Sequence, residues 1–148
     1  MAIMKGSVKH IYDAHASVVF RAPGSAAVTA TGYSNVLALN ALSGAYWDGG
    51  ELPYDELEVA LVIEAMDAAS NDETYKFELE VGTDAAMSGA SVVASIDIPR
   101  ATPLAGYTLC VDADTIRRLG AFTHMRVKAT LGGTTPSVKY AAWFTGSC

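Results

Sequence analysis

Three histidines, His10, His15 and His124, are the side chains of this 148-residue chain best suited to acid–base or metal chemistry. His10 and His15 do not have the i, i+4 spacing that brings two imidazoles onto one helix face. No carboxylate-rich partner stands near them, and His124 precedes a strand pattern. All three are expected to be non-catalytic. Asp112-Ala113-Asp114 and Asn71-Asp72-Glu73 bring oxygen ligands close together. Calcium takes about six to eight oxygens, so several such clusters would have to converge, and no EF-hand loop is present. These residues read as strand-end turns. No serine carries the glycine pattern of a nucleophile elbow. The glycine-rich stretches 43–50 and 132–133 lack the spacings that cradle phosphate. The chain is therefore read as a non-enzyme without metal or cofactor.

Tyr46 and Trp47 are a different matter, because they sit in a glycine-rich loop. Aromatic side chains bury a large area at low entropic cost, so such a pair can anchor a partner or stack on a sugar. Alternatively, the loop folds back and both plug the end of the domain.

Something must hold these loops, and the chain supplies it as strands. Tyr75, Phe77, Leu79 and Val81 alternate with Lys76, Glu78 and Glu80. Only an extended strand separates those groups onto two faces. One face then covers a core and the other meets water. Leu57, Val59, Leu61 and Ile63 repeat the pattern within 55–66, although Val62 on the opposite side predicts partial cover there as well. Val92, Ala94, Ile96 and Ile98 alternate up to Pro99, which stops the strand. Tyr107, Leu109 and Val111 form another, and Met125, Val127, Ala129 and Leu131 another. Val138, Tyr140, Ala142 and Phe144 close the series. Val28–Thr31 is a short candidate interrupted by Gly32, and 35–39 begins the next. One helical turn is allowed at 84–87. The sum is roughly eight strands joined by Gly, Pro and Asp turns, the rhythm of an antiparallel β-sandwich or jelly roll. Residues 1–17 read as an N-terminal arm and 18–148 as the sandwich domain.

Composition fits one domain with a sizeable core, at 51% hydrophobic residues and a mean hydropathy of +0.23. The net charge of −6, with ten scattered Lys and Arg, argues against nucleic acid as a direct partner. No run of about 18 apolar residues appears, so no membrane span is expected. The N-terminus lacks the apolar core of a signal peptide. Of the two cysteines, Cys110 reads as a small buried hydrophobe and Cys148 as a mobile terminus, so no disulfide is expected. Maturation in a reducing cytoplasm follows.

From Val28 onward the order of pieces resembles the jelly-roll cement, or decoration, proteins of tailed-bacteriophage capsids. The cues are Thr-Ala-Thr-Gly-Tyr-Ser-Asn-Val-Leu-Ala-Leu (29–39) and Gly-Glu-Leu-Pro (50–53). They continue with Phe-Glu-Leu-Glu-Val-Gly-Thr-Asp-Ala-Ala-Met (77–87), Pro-Leu-Ala-Gly-Tyr (103–107) and Met-Arg-Val-Lys-Ala-Thr-Leu-Gly-Gly-Thr (125–134). Tyr-Trp-Asp (46–48) stands where that family usually has an arginine-aspartate-leucine loop. The resemblance implies a homotrimer on the outer capsid surface of a virion assembled in the host cytoplasm. Its partners would be the major capsid protein and other copies of itself. The expected contacts are the arm, through Lys5, Lys9, His10 and Tyr12, and the loop, through Tyr46 and Trp47. The rival reading is a carbohydrate-binding or tail-associated adhesion module.

Overall fold

A computed structural model describes residues 19–38, 57–99, 106–111 and 122–146. Among these residues the chain is all-β, with β1 (Val19–Arg21), β2 (Gly32–Tyr33), β3 (Leu37–Ala38) and β4 (Leu57–Met66). The series continues with β5 (Thr74–Gly82), β6 (Ser91–Ile98), β7 (Gly106–Val111), β8 (His124–Gly132) and β9 (Val138–Gly146).

The pairings are nested. β1 pairs with β9, β2 and β3 with β8, β4 with β7, and β5 with β6, all antiparallel. That is one long hairpin, with β5–β6 at its tip and β1–β9 at its open end. Further pairings, β4 to β9 and β5 to β8, roll the hairpin up. The result is two facing sheets, ordered β1-β9-β4-β7 and β2-β8-β5-β6, with β3 also on β8. A long hairpin rolled into two sheets in this way is the jelly-roll arrangement.

The core lies between the sheets, where the alternating apolar residues of both converge. Phe77, Leu79 and Val81 of β5 meet Val59, Leu61 and Ile63 of β4 in one buried cluster with Val127 and Tyr140. Phe77 and Tyr140 touch edge to face, with ring centroids 4.8 Å apart, a favoured aromatic geometry. The cover expected near Val62 is present. Ala60, Ala141 and Trp143 form a second buried cluster with Val62 packed against it, on the side of β4 away from the main core.

Several strand details depart from the sequence pattern. Gly32 does not interrupt a strand; with Tyr33 it forms β2, paired to Ala129 and Lys128. Val28 makes an isolated bridge to Val138, and of the strand expected to begin at 35–39 the described residues show β3, with Leu39 outside them. β1 carried no alternation long enough to notice. In β6 a bulge shifts the register between Leu79 and Glu80 on β5, so Val92 lies opposite Glu80 on the outer face while Val93 packs on the core. One inserted residue moves its neighbour across the sheet. The 84–87 segment is a turn rather than a helix, closed by the Met87 N–H donating to the Asp84 carbonyl at 3.1 Å.

Cys110 also departs from expectation. It is exposed, on the face of β7 opposite Leu109 and Val111, and it is disulfide-bonded. The chain's one other cysteine, Cys148, lies outside the described residues.

Candidate interaction surface

The outer face of the β2-β8-β5-β6 sheet gathers the most structured set of polar side chains among the described residues. Register decides who meets whom. Glu80 of β5 lies opposite Arg126 of β8, and Glu78 opposite Lys128. Tyr33 of β2 lies opposite Lys128 from the other side. The guanidinium of Arg126 stacks 3.6 Å from the Tyr33 ring centroid, and its Nη2 donates to Glu80 Oε2 at 3.2 Å. Lys128 Nζ stands 5.9 Å from the same ring. A cation over a ring face is held by the ring's quadrupole.

The pair is largely sheltered, the side chains being 14% exposed for Arg126 and 7% for Glu80. The strand alternation placed Glu80 toward water. The structure corrects this, because the aliphatic stem of Arg126 and its partner ring cover the sheet. Glu58 is likewise buried rather than solvated, at 2% exposure, on the face of β4 that carries the Trp143 cluster. Tyr33 itself remains 53% exposed, and Val92 on the neighbouring edge 50% exposed. Tyr33 is held in place by the residue after it. The Ser34 N–H donates to the Val127 carbonyl at 2.8 Å, and the Val127 N–H donates to Ser34 Oγ at 2.8 Å.

The oxygen-rich stretch 71–73 serves as a clamp between loops. The Asp72 carboxylate accepts from the Thr134 N–H at 3.0 and 3.1 Å and from the Thr134 hydroxyl at 2.8 Å. Glu73 is buried, and its Oε1 accepts from the Ser70 N–H at 2.8 Å. Beside them the Tyr75 hydroxyl donates to the Asp67 carbonyl at 2.5 Å and accepts from the Ser137 N–H at 3.1 Å. Burial raises the Tyr75 pKa above its ordinary value. The backbone hydrogen bond to Ser137 opposes that, and the charges of Glu73 and Asp67 add to it. No group of three or more His, Cys, Asp or Glu that could hold a metal occurs among the described residues.

None of the six residues expected to make contacts is among those described. Lys5, Lys9, His10, Tyr12, Tyr46 and Trp47 lie outside the described residues, as do His15, Asp112 and Asp114. His124 opens β8, with its Nδ1 2.7 Å from Thr123 Oγ1. No local signal marks Tyr33 and Arg126 as a pair, since 92 intervening positions separate them and only strand pairing brings them together. The described residues include no helix long and apolar enough to cross a membrane. The arrangement on this face suits recognition: an exposed ring, a stacked cation and a carboxylate, Glu80, already engaged by that cation. Comparison with known proteins finds no matching family model, no matching curated protein and no matching solved structure.

Proposed function

We propose that this protein is a capsid cement protein, a jelly roll that binds the outer surface of a phage shell and stabilises it. One observation carries the reading. Three of the five stretches that carry the resemblance, 29–39, 77–87 and 125–134, include β2 with β3, much of β5 and most of β8, while Gly106 and Tyr107 of a fourth lie on β7. The strands of the first three adjoin in one sheet, in the order β2-β8-β5. These three pieces thus share one sheet, and Tyr33, Glu80 and Arg126 stand on its outer face. Shell and sister copies are the partners, and a homotrimer is the proposed assembly. On a symmetric lattice the linked contacts reinforce one another, so a few kcal/mol at each suffices. The Cys110 disulfide suits the oxidising medium that a released virion meets.

The experiment mixes purified protein with undecorated tailed-phage capsids and sediments them. Saturable co-sedimentation at a fixed copy number per shell, with a solution mass of three chains, is expected. Deleting residues 2–15 is expected to weaken attachment while leaving the β-sheet spectrum unchanged. Absence of binding to capsids encoded beside this protein's own gene would overturn the reading.

A second reading draws on the exposed Tyr33 ring beside Arg126 and Lys128. Ring stacking with flanking polar groups is also how a protein holds a sugar. Glycan-panel binding that Tyr33→Ala abolishes, with no capsid binding, would favour an adhesion module.

A further inference from the structure

The two sides of the roll end differently. On one side the sheets finish in β1, of three residues, and β2, of two. On the other they finish in β7, of six residues, and β6, of eight. A short edge presents few unpaired peptide groups, whereas a long one is a template for another strand. Proteins guard such edges with lysine, proline or a cover. β6 reads Ser-Val-Val-Ala-Ser-Ile-Asp-Ile, with no lysine and no proline, and Asp97 is its one charge. Among the described residues its backbone pairs with β5 alone. Among the described residues no other hydrogen bond reaches it.

Beside this edge is a cleft of about 510 Å³, lined by Ile96 of β6, Gly106, Tyr107 and Thr108 of β7, and Val62 and Trp143. Tyr107 packs against the core on this side, and its buried hydroxyl has no hydrogen-bond partner among the described residues.

We propose that the β6 edge is a strand-accepting site for an extended segment of a partner protein in which apolar and basic residues alternate. The backbone of the incoming strand pairs with the peptide groups of β6 that point away from β5. Its apolar residues extend the inward row of Ala94 and Ile96 and reach the apolar wall of the cleft. Its outward residues run beside Val92, Ser95 and Asp97. Asp97 already faces Lys76 on its β5 side, so a basic residue on the free side completes the row. A second copy of this chain is the poorer occupant. Its β6 brings another Asp97 and no cation, and each chain carries a net charge of −6. The inference stands on the edge geometry and does not require the capsid reading.

The test titrates the full chain with a synthetic peptide of alternating valine and lysine, about the length of β6, and follows backbone amides by hydrogen exchange. Protection is expected at Ser91–Ile98 and not at β1 or β2. A peptide with glutamate in place of lysine is expected to bind about ten-fold more weakly. A peptide N-methylated at alternate residues, which keeps its side chains but loses one row of donors, is expected not to bind. Val92→Lys, a gatekeeper on an exposed position, is expected to weaken binding with no loss of thermal stability. Equal binding by the N-methylated peptide, protection located elsewhere, or self-association of the free protein through β6 would each overturn the proposal.

Discussion

Phe77 is wholly buried and in edge contact with Tyr140, so removing its ring opens a cavity that neighbouring strands cannot close. Phe77→Ala is expected to cost about 3–5 kcal/mol in urea unfolding, and a loss under about 1 kcal/mol would place the ring outside the core. Gly133 is constrained differently. Its φ of +92° and a would-be Cβ 2.4 Å from the Asp72 carbonyl oxygen leave no room for a side chain. Gly133→Ala is expected to destabilise by more than about 1 kcal/mol, since alanine disfavours that backbone region, and to loosen the Asp72–Thr134 clamp. Tyr140 links burial to pH. Burial raises its pKa above the usual tyrosine value, with the Arg21 charge opposing. A raised pKa means that the folded protein holds the proton more tightly than the unfolded chain. Stability is therefore full at neutral pH and declines once pH rises past the ordinary value near about 10. Tyr140→Phe is expected to flatten that alkaline decline in pH-dependent melting, and an unchanged slope would assign it to other groups.

Strands convert such residues into surfaces. Arg126 on β8 joins Tyr33 on β2 to Glu80 on β5, so one side chain spans three strands. Arg126→Ala is expected to destabilise by about 2–4 kcal/mol, because it strips a sheltered carboxylate of its partner. Glu80→Gln, which keeps a hydrogen-bond acceptor, is expected to cost less, and a double-mutant cycle should show coupling between the two positions. Additive effects would mean that the pair is only incidental. The alternation in β5 was legible because a period of two is written in neighbouring residues. The bulge in β6 was not, since Val92 and Val93 are equally apolar and only the β5 register chooses between them. β1 and β2 were invisible for a similar reason. Two or three residues hold no period, and their partners β9 and β8 lie about a hundred positions away.

The assembled roll adds constraints that no strand carries alone. A nested hairpin joins β1 to β9 across more than a hundred positions, so most of its cohesion links residues far apart in sequence. A covalent link reduces the entropy of the unfolded chain in such a topology. Reduction of the Cys110 disulfide, or Cys110→Ser, is expected to lower stability by about 2–4 kcal/mol. The reductant should have no effect on the variant, and an unchanged melting temperature in the reduced wild type would show the link to be dispensable.

Side-chain alternation in 57–66, 75–81, 125–131 and 138–144 was sufficient to identify an antiparallel sandwich, its inward faces and its turn-rich joints. That information is local, because a pleat sorts neighbours before any partner strand arrives. The order of strands, the sheltering of Glu58 and Glu80, the stacking of Arg126 on Tyr33 and the place of β6 at the end of its sheet among the described residues came from folding in three dimensions. Each depends on which distant segment lies alongside, and many pairings satisfy the same alternation until the two sheets close on a shared core.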